Sequence, residues 1–257
     1  MADPVLTRRI GDHVALVTLN RPRARNAVDP DLARALAAAV AATEADDAVR
    51  AVVLAGEGPV FCAGADLKVV ADGGADGLWI GEGGFAGFVH ARRAKPWIAA
   101  IEGPALAGGC EIALACELIV AGEGASFGLP EVTRGLVAAA GGLYRLPRAL
   151  PRAVALELIL TGARLEAARA HALGLVNRLA AIGAARDEAV ALATAIAANA
   201  PLAVRESLAV ARLAPDADEA GLREASAAAR ARVQASEDYR EGPRAFVEKR
   251  PPRWTGR

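Results

Sequence analysis

The sequence predicts a mixed α/β fold, and three observations carry that reading. Short apolar runs rich in β-branched residues alternate with alanine-rich stretches of helical spacing. Tight turns containing glycine and proline follow several of those runs. Strand signals stop near residue 182, and only amphipathic segments follow.

Residues 13–20 (HVALVTLN) read as a strand, closed by the turn Asn20-Arg21-Pro22. Asp29-Pro30-Asp31 opens a helix, because Asp29 suits the N-cap and Pro30 the first helical position. Residues 49–55, 97–102 and 117–121 are the next strands. Beyond them, residues 187–199, 201–213, 218–234 and 237–249 are amphipathic, punctuated by Pro201, Pro215 and Gly242-Pro243. The expected division is a β-containing core over 1–195, holding the active site, and a helical module over 196–257.

An internal echo runs through the core. Glu57-Gly58-Pro59 follows the second strand and Glu102-Gly103-Pro104 the third. At one common offset from these stand Gly64 and Asp66 in the first copy, Gly109 and Glu111 in the second. The second and fourth strands both end in Ala-Gly-Glu-Gly. Agreement of glycine, proline and acid in register favours a repeated strand–turn–helix unit in a stacked or spiralled architecture over chance recurrence.

Composition narrows the function classes. Thirty basic and thirty acidic side chains cancel, which leaves no electrostatic footprint for nucleic acid or an anionic membrane. No uncharged apolar run reaches the ~18 residues of a membrane span; the longest candidate, 189–204, is interrupted by Asn199 and Pro201. The start MADPVLTRRI lacks an apolar run after a basic segment. With three cysteines, an odd number, the expectation is a reducing cytoplasm without structural disulfides.

Two glycine turns carry candidate chemistry. FCAGADLK, residues 61–68, and ALAGGCE, residues 105–111, each set small residues between a strand and a helix. Small residues let a ligand approach the backbone, and free N–H groups at helix starts favour negative charge. Side by side, two such turns aim two N–H groups at one developing oxyanion; singly, each is explained as a tight turn. Glu111 in GGCEIALAC and Glu131 in FGLPEV lie among apolar neighbours. Such carboxylates are poorly solvated, have raised pKa values and suit proton transfer near neutrality. Glu131, after Pro130, equally suits a helix start.

The segments FCAGADLK, ALAGGCEIALACELIVAGEGASFGLPE, NRPRARNA, HALGLVNRL and AFVEKR resemble, in order and along nearly the whole chain, the enoyl-CoA hydratase/isomerase (crotonase) family. The resemblance implies a crotonase-type spiral of ββα repeats followed by C-terminal helices that assemble homotrimers or homohexamers. It implies an oxyanion hole from the N–H groups of Ala65 and Gly108, with Glu111 and Glu131 as the catalytic acids. It places Arg23, Ala24, Arg25, Ala63, Ala65, Asp66, Leu67 and Lys68 along coenzyme A, with Phe246 and Lys249 reaching a neighbouring subunit's coenzyme A. The substrate is then an acyl-CoA, and coenzyme A is part of it, so no cofactor or metal is expected. Two glutamates favour hydration of a 2-enoyl-CoA; the alternatives are an enoyl-CoA isomerase or other thioester-enolate enzyme, or a non-catalytic acyl-CoA binder.

The chain departs from the family pattern at two positions. Ala139 stands where a glycine N–H helps hold the attacking water, and Leu129 where glutamine is common; both make a drier water site. Trp79, Phe85 and Phe88 fall in the variable acyl-pocket region, where core packing explains each one singly.

Other enzyme classes lack their signatures. Gly81 to Ala86 satisfies a loose GxGxxA, but the run before it is too short and glycine-bounded for the strand a dinucleotide site needs. There is no GxSxG, and His13, His90 and His171 give neither a nucleophile pairing nor a metal-ligand spacing.

Overall fold

The computed structural model describes residues 3–257. An antiparallel hairpin of β1 (Val5–Ile10) and β2 (Val14–Leu19) pairs Val5 with Leu19 and Ile10 with Val14. β2 is buried along its length while the centre of β1 is exposed, as befits an inner strand beside an edge. The helix α1 (Pro30–Ala45) starts as expected: the Asp29 side chain accepts from the Leu32 N–H at 2.8 Å, with Pro30 next. Its buried stripe, from Leu32 through Leu36 to Val40, is turned to the sheet.

The chain then winds through β3 (Ala51–Gly56), α2 (Leu67–Ala71), β4 (Trp97–Ile101), β5 (Pro104–Leu106), α3 (Gly108–Ala115), β6 (Leu118–Gly122) and β7 (Ser126–Gly128). It continues with α4 (Gly142–Ala149), α5 (Arg152–Thr161), β8 (Arg164–Glu166), α6 (Ala167–Ala172) and β9 (Arg178–Ala180). The larger sheet has the order β1-β2-β3-β4-β6-β9, parallel from β2 onward, and the smaller sheet is β5-β7-β8.

The sequence echo is the pitch of this spiral. Val52 pairs with Trp97 and Ala55 with Ala100, the same offset that separates Gly58 from Gly103. One layer up, Cys62 bridges Ala105, which pairs in turn with Phe127. Close approach of the turns dictates two glycines. A Cβ on Gly103 would lie 1.9 Å from the Pro59 carbonyl oxygen, and one on Gly109 2.1 Å from that of Cys62. Steric exclusion, not φ, fixes both residues.

Four helices follow: α7 (Ala185–Ala197), α8 (Pro201–Leu213), α9 (Glu219–Gln234) and α10 (Glu237–Val247). Ala185, Ala189, Ala193 and Ala197 form a small-residue stripe on α7 that packs against Leu16, Val53, Ile98 and Val120 of the large sheet. The opposite face of the sheet holds the other core, with Leu36, Leu54, Phe61, Trp97, Ile101 and Phe127. The expected boundary at 195/196 thus falls in the last turn of α7. The chain's end returns across that boundary: Arg50 Nη2 donates to the Trp254 carbonyl at 3.1 Å, while Trp254 Nε1 donates to the Ala198 carbonyl just past the end of α7 at 2.9 Å.

Gly242-Pro243 does not punctuate the last helix, because α10 runs through both. Salt bridges from Glu241 to Arg244 and Arg250 hold it there, and the Trp254 ring packs where Gly242 has no side chain. Among the described residues no single helix is long and apolar enough to cross a membrane; α7 and α8 pass only as a pair, and they meet at a 107° bend.

Candidate active site

The two glycine turns meet. Val28 N–H donates to the Gly64 carbonyl at 2.8 Å and Asp66 N–H to that of Val28 at 2.9 Å. This parallel bridge at Ala65 uses the groups on either side of it, and no acceptor for the Ala65 N–H itself occurs among the described residues. Gly64, at φ +92°, is pressed against the start of α3: a Cβ there would lie 2.8 Å from Ala107 Cβ and 2.9 Å from the Gly108 nitrogen. Ala107 holds φ 51°, ψ −130°, a sparsely populated conformation for a residue with a side chain. It is fixed by bonds from its N–H to Gly128 O at 2.9 Å and from Glu111 N–H to its own carbonyl at 3.1 Å. Gly108 is the first residue of α3, so its N–H has no acceptor within the helix. Ala65 and Gly108 both line one cavity of about 460 Å³.

Both glutamates line that cavity as well. Glu111, in the first turn of α3, is 3% exposed, and its Oε1 accepts from the Gly142 N–H at 2.9 Å. Glu131, in the 3-10 turn Pro130–Arg134, is 8% exposed, and its buried Oε2 has no partner. Among the described residues neither carboxyl is in an ion pair. Burial pushes Glu111 up to about 7; the charge of Glu131 adds to the rise, while the N–H groups of Gly142 and Ala140 and the Arg145 guanidinium oppose it. Burial also raises Glu131, against its own N–H and Arg134.

The sequence pattern of the enoyl-CoA hydratase/isomerase family matches residues 9–257. The chain belongs to that family. The enoyl-CoA hydratase/isomerase assignment is supported along its length. A probable enoyl-CoA hydratase of Rhizobium meliloti is 48% identical over 160 residues, 60% of each chain. An enoyl-CoA hydratase of Mycobacterium tuberculosis is 39% identical over 99% of this chain and 97% of its own. The crystal structure of an enoyl-CoA hydratase from Mycobacterium tuberculosis matches the fold with a TM-score of 0.95, at 45% identity and over 100% of both chains. The crotonase-type spiral is therefore the fold of this family member.

The cavity lining includes part of the expected coenzyme A set. Arg25, Ala63, Ala65 and Leu67 line it; Arg23, Ala24, Asp66 and Lys68 do not. Asp66 instead caps α2, accepting from the Lys68 N–H at 3.2 Å, and pairs with Arg21 at 3.3 Å. Phe246 and Lys249 are also outside the lining, Phe246 being 85% exposed on α10.

One expectation is corrected. Ala139 lines the cavity, but its N–H donates to the Val137 carbonyl at 2.9 Å and so is not a free donor for water. The loop's own turn takes the group. Leu129 does not line the cavity; it is buried with its methyls behind Gly142, where a Cβ would meet them at 2.8 Å.

The aromatic residues divide. Trp79 and Phe85 line the cavity and pack edge to face at 5.9 Å, whereas Phe88 packs in the core against Trp97 at 5.1 Å. Residues of the loose GxGxxA form a 3-10 turn, Gly81–Gly83, between bridged Trp79 and Phe85, not a strand entering a helix. Cys62, Cys110 and Cys116 are free, and burial pushes each thiol up to about 12. No cluster of three metal-binding side chains occurs among the described residues.

Sequence reasoning missed Arg134, Leu136, Val137 and Arg164, which also line the wall. Arg134 was within reach: it stands three residues after Glu131, and in a 3-10 turn those positions eclipse. Arg164 comes from β8, a three-residue strand with no readable period.

Proposed function

We propose that the protein is an enoyl-CoA hydratase that adds water across the double bond of a 2-enoyl-CoA thioester. The observation that carries this is the pair of buried, unpaired carboxyls of Glu111 and Glu131 in one cavity with the N–H groups of Ala65 and Gly108. The thioester oxygen sits between those two N–H groups, which polarises the conjugated system and makes the β-carbon electrophilic. Each such donor is worth about 2.7–4 kcal/mol in a transition state.

Water attacks the β-carbon while Glu111 takes its proton; with a pKa of about 7, its basic form is present at neutral pH. The charge that develops on the thioester oxygen is held by the Ala65 and Gly108 N–H groups. Glu131 delivers a proton to the α-carbon, giving the 3-hydroxyacyl-CoA, and proton exchange with solvent restores both acids. Coenzyme A enters as part of the substrate, and the reaction calls for no further cofactor.

Arg25, Ala63, Ala65 and Leu67 hold the coenzyme A limb, and Trp79 and Phe85 face the acyl group. The occupied Ala139 N–H favours one second reading, double-bond isomerisation, in which no water is added. Exposed Leu213, Tyr239, Phe246 and Val247 on the C-terminal helices support assembly as a homotrimer or homohexamer. Three free, buried or partly buried cysteines support a reducing, cytoplasmic setting.

The test is a panel of 2-enoyl- and 3-enoyl-CoA thioesters, followed by conjugated-thioester absorbance with mass analysis of the products. Gain of one water on the 2-enoyl substrates is expected. Isomerised product without water establishes the second reading, and no turnover with intact acyl-CoA binding refutes both.

A further inference from the structure

We propose that Arg145, which does not line the cavity, is a positioning residue that ties Glu111 to the acyl wall of the site. Gly142 opens α4 and donates the N–H that holds Glu111 Oε1 at 2.9 Å. Three residues on, the Arg145 side chain folds back over that start. Its Nη1 donates to the Ala140 carbonyl at 3.1 Å and its Nη2 to the Val89 carbonyl at 2.6 Å. Gly141 permits this: it holds φ +116°, and a Cβ there would stand 2.0 Å from Nη1.

The two carbonyls belong to different walls. Ala140 lies in the loop that lines the cavity and leads into Gly142. Val89 ends the segment that carries Phe85, whose ring lies against Gly108. A second tie runs alongside, with Tyr144 Oη and His90 Nε2 3.1 Å apart. One guanidinium therefore sets the Glu111 donor and the Phe85 wall in a fixed relation.

Arg145 has no carboxylate partner among the described residues, so its charge acts on the site. The groups acting on Glu111 are the Gly142 N–H, Glu131 from the 3-10 turn, the Ala140 N–H and Arg145 from α4; Glu111 in turn helps keep the neighbouring Cys110 thiol neutral. His90 is pushed toward its neutral form by burial and by the Arg145 cation. The Gly142 and Ala140 N–H groups hold Glu111 below the value burial alone would impose, and the Arg145 charge adds a smaller pull in the same direction.

The kinetic part of the test rests on the hydratase reading, and the titration part does not. Arg145→Met, Arg145→Lys and the control Arg148→Met are compared in the full-length protein on short and long 2-enoyl-CoA substrates across pH. Arg148 lies on the same helix in an exposed ion pair with Asp216; its guanidinium is 5.9 Å from the Tyr144 ring but reaches neither the Ala140 nor the Val89 carbonyl. Arg145→Met is expected to lower kcat about tenfold or more, mainly through kcat and not KM, and to move the ionisation governing kcat upward. Arg145→Lys returns the ionisation but not the full rate, because an ammonium does not span both carbonyls; Arg148→Met changes neither.

Titration of the Glu111 carboxyl by 13C NMR, assigned against Glu111→Gln, reads the same claim without turnover. An upward shift in Arg145→Met is expected. An unmoved titration, or wild-type rate and pH profile with only a lowered Tm, overturns the proposal. If Arg145→Met does not fold, Arg145→Lys with unchanged kcat overturns it. A wild-type protein that hydrates nothing but shows the Glu111 shift refutes the hydratase reading alone.

Discussion

The ring of Phe85 lies against Gly108 so closely that a methyl group on Gly108 would stand 2.5 Å from its Cε1 and 2.7 Å from its Cζ. Phe85 is 5% exposed and packed against Trp79, so the ring has little room to retreat. Gly108→Ala is therefore expected to displace the ring into the cavity and lower hydration kcat/KM by roughly tenfold to a hundredfold, about 1.4–2.7 kcal/mol. Adding Phe85→Leu should recover part of the loss. Steady-state kinetics of the single and double variants check this; a Gly108→Ala enzyme of wild-type rate contradicts the packing.

Glu111 gives a pH dependence of stability with a definite sign. Its carboxyl moves from an ordinary value near 4.5 up to about 7 on folding, so the folded state binds the proton more tightly than the unfolded state. Stability is then unaffected below about pH 4.5, falls as pH rises toward 7, and stays reduced above it. The full cost is roughly 2–4 kcal/mol. Glu111→Gln keeps an oxygen for the Gly142 N–H and never ionises, so it should be more stable than wild type at pH 8 and equal to it at pH 4. Urea unfolding at the two pH values measures the difference.

The cysteines separate this account from a nucleophilic hydrolase. Cys110 stands beside Glu111 in the chain, yet it is fully buried and its thiol is pushed up to about 12. At pH 7.5 iodoacetamide is expected to leave activity unchanged, and Cys110→Ala to retain turnover with a lowered Tm. Rapid inactivation abolished by Cys110→Ala would reverse this reading.

Much of the fold is legible in the sequence because its signals are local. Asp29-Pro30 caps α1 by side-chain chemistry at adjacent positions. The alanine stripe of α7 repeats every four residues, and the Glu-Gly-Pro echo is the spiral pitch itself. The strands β5, β7, β8 and β9 are not legible, because three residues are too few to show a period. β1 is hidden by its exposed edge, four of its six residues facing solvent.

In the site, the poor solvation of Glu111 and Glu131 is legible in their apolar context and the two turns in their glycines, whereas Ala65 and Gly108 are singled out only by the family resemblance. The capture of the Ala139 N–H by Val137 and the Arg145 clamp are not, since each depends on how a loop closes in three dimensions. Of the aromatic candidates, only coordinates separate Trp79 and Phe85 on the cavity from Phe88 in the core.

In the proposed reaction the two acids act as one unit across a polarised thioester. The most direct measurement is the hydration rate of a 2-enoyl-CoA by Glu111→Gln, Glu131→Gln and the double variant, with acyl-CoA binding verified in each. Each single change is expected to lower kcat by roughly 10²–10⁴-fold. Because the residues act as a unit, the double variant should be far less impaired than the product of the two losses. A single variant that binds acyl-CoA and hydrates it at the wild-type rate would contradict the account.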